Sequence, residues 1–517
     1  MSVIDLLATL NTLNIKLEII SDNLKILSPT GVLTEELKIK IKENKDQILN
    51  YLRSIEIFST TQIINNFEKK DFYKLSSSQK RLYFMQQVDL NITSYNMPYI
   101  IRVEGNIEID RLAVIIRKLI IRHEILRTFF AVIEGEPFQR INKEVELEIE
   151  YYKLGEGKEE QEKIIKNFIR PFNLLKAPLF RVGIIKITTE KHILLFDMHH
   201  IITDGLSQNI LFSEFISLYS GEELPPMRLQ YKDYAEWQNR QQRSDDIKKQ
   251  GKFWHKEYSD PPPLLKLPVD FAKPSGKYFD GNTLEFKIDS EETQLLTMLA
   301  VEEGTTIFIV LLAVYTVMLW KLTGQGEIVV GTPVAGRRHA DLQPIMGIFI
   351  NMLPLRNFPA PEKKFKDFLA EVRERTLEAF ENQDYPYEDL VEKVTRTRDI
   401  SRNPLFDVVF NFENRQKPKT EIFGLSFESY DYENTISKFD MSLMGTKGED
   451  TLGFRIIYST KLFAIETIEG FIRCFKEILS AVLMDKEIAL KDIRINLVLA
   501  DTNLDIPEIN FNFKDSL

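Results

Sequence analysis

The sequence predicts a mixed α/β (α+β) protein of two comparable halves behind a small N-terminal unit. Three observations predict it. A chain of 517 residues is too long for one compact core. From about residue 71 onward, strand-like and helix-like patterns alternate, with no detectable repeat relating the halves. Near residues 261–268 the proline-rich PPPLLKLP interrupts the alternation, a candidate boundary between halves.

Residues 1–55 form the N-terminal unit. VIDLLATL (3–10) carries apolar residues at helical spacing, and NIKLEII then alternates Ile15, Leu17 and Ile19 with period two. Ser21-Asp22-Asn23 is a turn and LKIL a second strand, so a β-hairpin is predicted. Pro29-Thr30-Gly31 breaks the chain. Thr34 is a good N-cap, with Glu35 and Glu36 in the first helical turn, and KENKDQILNYLRSI closes the unit as an amphipathic helix. Two readings are open for this unit: an extension packed on the main body, or a docking module whose hairpin edge takes up a partner's peptide by strand addition. The polar STTQIINNFEKKD, Ser59 to Asp71, reads as a linker, placed at 56–70.

Beyond it, IEIDRLAVIIRKLIIRHEILRTFF predicts one long amphipathic helix from Asp110 to Phe130, KHILLFDM a strand and NILFSEFISLY a helix. TTIFIVLLAVYTVMLWKL is about long enough to raise a membrane span. It is the only such stretch and is followed by KLTGQGE, so a buried helix is expected and no membrane partner. The N-terminus lacks a basic start and a small-residue cleavage site, so no signal peptide is read and a cytoplasmic location is expected. A net charge of −10 argues against nucleic acid as a partner. The single cysteine, Cys474 in GFIRCFKEIL, can form no internal disulfide and sits at helical spacing, as a packed thiol would.

The chemistry concentrates in FDMHHIITDGLS (196–207), where a strand delivers His199 and His200 to its end and Asp204-Gly205 turns the chain. An imidazole, with an ordinary pKa near 6.5, can accept a proton at neutral pH. Adjacent strand residues point to opposite faces, so both histidines cannot easily reach one metal ion. No HExxH, no clustered Cys/His, no G-x-S-x-G elbow and no GxxxxGK[ST] loop occurs. His199 is therefore expected to face inward. His200 is expected to act as a general base or positioning group, with Asp204 fixing the turn.

His199, His200, Asp204 and Gly205 spell HHxxxDG, which resembles the hallmark of condensation domains of non-ribosomal peptide synthetases. A two-histidine motif alone would also suit other acyltransferases of the chloramphenicol-acetyltransferase-like fold. LSSSQKRLYFMQQ (75–87), RHEILRTFF (122–130), YKDYAEWQ (231–238), MGIFINMLPLR (346–356), NQDYPYEDLV (382–391) and RDISRNPLFDVVFNFEN (398–414) resemble the family's further motifs, in order. GTPVAGRRHADL (331–342) and KFDMSLM (438–444) fit as well. The resemblance covers about residues 70–500. Residues 1–55 are similar to the TubC-type N-terminal docking domain.

The resemblance implies two chloramphenicol-acetyltransferase-like lobes in a V shape around a central tunnel. They would occupy 71–500, with an N-lobe of about 71–240, a C-lobe of about 241–500 and a tail or linker at 501–517. Donor and acceptor carrier proteins would present thioesters on 4'-phosphopantetheine arms, and the acceptor amine would attack the donor thioester. No metal or bound cofactor is implied, and a monomer is expected. His200 would hold or deprotonate the amine, and Arg337 of the opposing lobe would pair with Asp204, with Arg122 and Arg127 as rivals. Ser207, Asn351 and Arg127 are expected along the tunnel. In the docking hairpin, Lys16, Leu17, Glu18, Ile19, Asn23 and Lys25 would meet the C-terminal peptide of an upstream synthetase.

Leu206 departs from the tryptophan or valine often found after Asp-Gly, a change of packing rather than chemistry. HHIITDG retains both histidines, unlike the DxxxxD of heterocyclising relatives. SSSQKRLYFMQQ and TSYNMP lean toward the subtype with an L-configured donor. An epimerase-type relative carries a similar motif, and a catalytically silent recruitment platform is the reading from another class. No adenylation motif such as SGTTG and no carrier serine motif occurs, so those functions are expected on other chains or on a longer protein.

Overall fold

The structure, a computed structural model, describes residues 16–20, 23–28, 35–43, 64–154, 157–274, 278–394, 402–413, 420–430 and 436–496, with a few isolated positions between them. The expected helix at 3–10, most of the helix ending at 55 and the tail at 501–517 lie outside these residues. At the N-terminus, β1 (Lys16–Ile20) and β2 (Asn23–Leu27) form an antiparallel hairpin with Leu17 opposite Ile26 and Glu18 opposite Lys25. Asn23 lies in β2 opposite Ile20, so the connection is two residues and not the three read from the sequence. Helix α1 (Glu35–Glu43) follows. Part of the expected linker is packed: Ile64 is fully buried and the Phe67 N–H donates to the Asp233 carboxylate at 2.9 Å.

The first half runs β3 (Tyr73–Lys74), α2 (Ser77–Val88), β4 (Asn96–Glu104), α3 (Ile109–Arg122), β5 (Thr128–Ile133), β6 (Glu136–Ile141), β7 (Ile149–Lys153), α4 (Lys158–Phe168), β8 (Phe180–Lys186), β9 (Lys191–His199), α5 (Gly205–Tyr219) and α6 (Tyr231–Gln241). The chain expected as one helix from 110 to 130 divides: α3 stops at Arg122, a 3-10 turn covers Glu124–Arg127, and Thr128 onward is strand. Thr128, Phe129 and Phe130 are β-branched or aromatic, and Glu134-Gly135, both at positive φ, turn β5 back onto β6. Strand pairing overrides the helical period there. β9 shows the two-sided burial of a central strand. Leu194, Phe196 and Met198 enter the core under α3 and α5, while Ile193 and Leu195 meet α4 on the other face.

The second half runs α7 (Asp245–Glu257), β10 (Gly281–Ile288), α8 (Ser290–Glu302), α9 (Ile307–Thr323), β11 (Ile328–Val334), β12 (Asn351–Asn357), α10 (Phe365–Glu381), α11 (Tyr387–Val394), β13 (Val408–Glu413), β14 (Thr420–Ile422), β15 (Leu425–Ser429), β16 (Met441–Lys447), β17 (Leu452–Ser459) and α12 (Ile465–Met484). Its six-stranded sheet has the order β10-β17-β16-β13-β11-β12. Every side chain from Ile309 to Leu319 of α9 is buried, as the apolar run predicted. No single helix among the described residues is long and apolar enough to cross a membrane. Cys474 is buried in α12, and burial followed by Glu477 pushes its thiol up to about 11.

The second half lends pieces to the first, so a single cut near residue 240 does not separate the two sheets and cores. The N-terminal sheet has the order β14-β15-β4-β9-β8-β7, so two of its strands come from the second half of the chain. Phe427 of β15 pairs with Val103 and packs edge-on against Phe212 and Phe215 of α5. Leu342, Ile345, Met346, Ile348 and Phe349 likewise bury in the N-lobe core. Each excursion ties the second half to the lobe that carries the histidines. A cavity of about 1380 Å³, lined by both halves, lies between them.

Candidate active site

The site begins where β9 runs out of strand partners. His199 is its last residue, opposite Asn96 of β4, and His200 opens a 3-10 turn to Ile202. Asp204 then caps α5, its carboxylate accepting from the Ser207 N–H at 2.8 Å. Strand end and helix cap together aim the two imidazoles differently.

His199 is wholly buried. Its Nδ1 accepts from the Ile201 N–H at 3.1 Å, so Nε2 carries the proton and donates to Gln86 Oε1 at 3.2 Å. Burial, then the nearby Lys438 charge, lowers its pKa to about 3. It is a neutral, fully engaged strut. His200 has the opposite tautomer. Its Nδ1 lies 2.7 Å from the Thr203 carbonyl, which only accepts, so Nδ1 donates. Nε2 is left with its lone pair and no hydrogen-bond partner among the described residues, on a ring that is half-buried and lines the cavity. Burial and Lys438 hold this imidazole well below its ordinary 6.5, so it stays neutral at physiological pH.

Beneath the turn lies a buried polar knot. Arg337 Nη2 stands 3.2 and 3.4 Å from the two Asp204 oxygens and donates to Ser207 Oγ at 2.7 Å. Arg337 Nη1 donates to the Leu342 carbonyl at 2.8 Å and also to that of Ile345. Asp204 Oδ2 accepts from the Phe349 N–H at 3.0 Å, and Ser207 Oγ meets the N–H and carbonyl of Gly347 at 3.0 and 2.7 Å. The guanidinium also stacks 3.8 Å above the Phe349 ring. Gly336 and Gly347 make the loop possible. Both have positive φ, and a Cβ would stand 2.0 Å from the Phe349 carbonyl at one and 1.8 Å from the Tyr231 ring at the other.

The other expected site residues lie elsewhere. Arg122 binds Glu214, shared with His123, so neither it nor Arg127 is the partner of Asp204. Arg127 donates to the carbonyls of Ile120, Asn142 and Lys143, tying the end of α3 to the strand hairpin, and does not line the cavity. Ser207 is consumed by the knot, while Gly205 and Gln208 reach the cavity wall. Asn351 spends its amide on the Gln383 and Tyr385 carbonyls and the Tyr387 N–H, and its neighbours Ile350 and Met352 line the cavity instead. Arg127 and Asn351 are satisfied by backbone groups, and Ser207 by Arg337, Asp204 and the Gly347 backbone. Gln86, Arg81, Tyr95 and Lys438 went unread as site residues. Gln86 and Lys438 fall inside LSSSQKRLYFMQQ and KFDMSLM, but nothing local marks either as a neighbour of the histidines.

With this geometry in view, the family model described as "Condensation domain" matches residues 69–502. The chain belongs to the condensation-domain family of non-ribosomal peptide synthetases. Residues 3–54 match the model described as "TubC N-terminal docking domain". Bacitracin synthase 3 of Bacillus licheniformis is 40% identical over 480 residues, 92% of this chain and 8% of the relative. Tyrocidine synthase 3 of Brevibacillus parabrevis is 45% identical over 424 residues, 82% of this chain and 6% of the relative. The condensation domain and its docking unit thus span less than a tenth of these relatives. Among solved structures, the complex of the X-domain and OxyB from teicoplanin biosynthesis shares the fold. Its TM-score is 0.78 at 21% identity, covering 85% of this chain and 99% of that one.

Two outcomes follow from the geometry. Arg337→Ala strands the buried Asp204 carboxylate and lowers stability by about 3–5 kcal/mol in chemical denaturation. Asp204→Ala combined with Arg337→Met recovers part of that loss, and strict additivity of the two changes would contradict the coupling. For His199, the folded state stays neutral while the unfolded chain takes up a proton below about pH 6.5, so stability is lost as pH falls. Between pH 7.5 and 5.5, His199→Gln should therefore lose about 1.4 kcal/mol less stability than wild type. An identical pH dependence would show that His199 titrates normally in the fold.

Proposed function

We propose that the chain forms an amide bond between two carrier-bound substrates in the cavity between its lobes. The observation that carries this reading is the free Nε2 of His200 in a cavity both lobes line. At about 1380 Å³ the cavity exceeds the range of roughly 300–1,000 Å³ usual for a single small ligand, which supports entry of two phosphopantetheine arms. The acceptor amine attacks the donor thioester carbon, forming the carbon–nitrogen bond. As the carbon–sulfur bond breaks, the proton shed by nitrogen passes through His200 Nε2 to the departing thiolate. With its pKa depressed, His200 is a weak base. It serves first as the acceptor that aligns the amine and takes its proton only as the amide nitrogen forms. Holding both ends in register supplies much of the acceleration, since effective molarities of 10⁵–10⁸ M are reached by well-oriented reactants.

The N-terminal hairpin is proposed to dock an upstream synthetase subunit. Among the described residues its sheet has two strands, so each strand offers an outer edge to which a partner's C-terminal peptide could add, with Lys16 to Ile19 on one and Asn23 to Lys25 on the other. A recruitment platform is the second reading, favoured by the fold shared with an X-domain solved in complex with OxyB. An epimerase-type reaction would use the same histidine but join nothing.

The deciding experiment pairs carrier proteins loaded with aminoacyl thioesters. Wild type should yield dipeptidyl thioester by mass spectrometry, and His200→Ala should lower the single-turnover rate about 10²–10⁴-fold. Equal rates would remove His200 from the chemistry. No product from folded wild type and matched carriers would favour the platform.

A further inference from the structure

Lys438 lines the same cavity as His200 and, among the described residues, is a cation without a counter-ion. It is half-buried on the wall of the cavity that His200 lines, and no carboxylate pairs with it among the described residues. Its place is fixed from both sides. Asn403 Nδ2 donates to the Lys438 carbonyl at 3.0 Å, and the neighbouring Ser437 N–H donates to Phe279 at 2.8 Å. The ammonium stands 5.3 Å from the centroid of the Tyr95 ring. Tyr95 also holds the catalytic turn, accepting from the His200 N–H at 2.7 Å, and its ring centroid lies 6.5 Å from that of His199. One residue therefore connects the lysine, from the second half of the chain, to both histidines.

The charges around His200 come from Lys438 and from Arg81 of α2, since His199 is neutral above about pH 3. Arg81 is paired with Glu388 of α11 at 3.3 Å, so its field is largely offset, while that of Lys438 is not. Burial, then Arg81, lowers Lys438 to about 8, so most of it is charged at neutral pH. An ammonium half-buried without a carboxylate carries a desolvation cost, which is why its pKa falls.

We propose that Lys438 is a positioning residue for the reaction: its unpaired ammonium keeps His200 and the entering amine unprotonated inside the cavity. This rests on the amide-forming reading. An α-amine in water has a pKa of about 7.7–8.0 and is largely protonated, and so non-nucleophilic, at neutral pH. A fixed positive charge beside it favours the neutral amine, and the same field stops His200 from taking a proton before attack. Attack then starts from an uncharged amine and imidazole, and as the tetrahedral adduct collapses the departing thiolate receives, through His200, the proton that nitrogen loses.

The test compares wild type, Lys438→Met and Lys438→Arg in single-turnover amide formation from pH 6 to 9. Removing the charge should move the acid limb up by about one pH unit, a rate loss of about tenfold at pH 6. The difference should shrink above about pH 8, where the wild-type ammonium itself discharges. Lys438→Arg should follow wild type. A loss of the same size at every pH, with the profile unmoved, would overturn the proposal and leave Lys438 a packing residue. A second readout needs no carriers: the pH dependence of His200 acylation by diethylpyrocarbonate, located by peptide mass spectrometry. Lys438→Met should shift that dependence upward too, and an unshifted curve would overturn the proposal even if amide formation fails for other reasons.

Discussion

The buried contact between Asp204 and Arg337 is the constraint on which the rest of this structure depends. A carboxylate and a guanidinium, each about 1% exposed, cost several kcal/mol apiece to desolvate, and their attraction returns that only when the remaining polar atoms are satisfied. Here most are: Ser207, Phe349, Leu342, Ile345 and Gly347 supply them, and Arg337 Nε alone lacks a partner. Such a knot contributes less to net stability than to register. It fixes which loop of the second half lies against the histidine turn, and therefore where the cavity wall stands.

From that register the site follows. With Asp204 capping α5, the chain between His199 and Asp204 must complete a 3-10 turn, and the Thr203 carbonyl comes to rest against His200 Nδ1. A backbone carbonyl thus sets the tautomer, leaving Nε2 bare toward the cavity. His199, one residue earlier, is captured by Gln86 and a backbone N–H and is unavailable for chemistry. The adjacent histidines divide the work. One fills a buried polar position and the other is presented, because strand geometry ends between them.

The elements readable in the sequence are those whose signal is local. KHILLFDM is an apolar run of strand length, and the α9 segment is apolar around its whole circumference, so each announces its burial. The helix drawn through Phe130 shows the limit: helical spacing continues past Arg122, but pairing of β5 with β6 and of β6 with β3 captures the last residues. Entry of β14 and β15 into the N-terminal sheet could not be read, because sheet order is a long-range property. The same holds at the site. The histidine pair and its turn stand out as residue types at fixed spacing. That Ser207 would be used up by the knot and Asn351 and Arg127 by backbone groups, and that Lys438 would stand over Tyr95 with no carboxylate among the described residues, depends on tertiary contacts, for Ser207 and Lys438 between segments more than a hundred residues apart.

The central claim is that His200 presents an unprotonated Nε2 to the cavity at working pH, and its tautomer can be measured directly. Protein labelled with ¹⁵N at histidine, with the His200 resonances assigned by their loss in His200→Ala, would report both ring nitrogens by NMR. This account predicts a protonated Nδ1 and a bare Nε2 at pH 7, with the ring still neutral at pH 6. A proton on Nε2, or titration with a midpoint near 6.5, would contradict it.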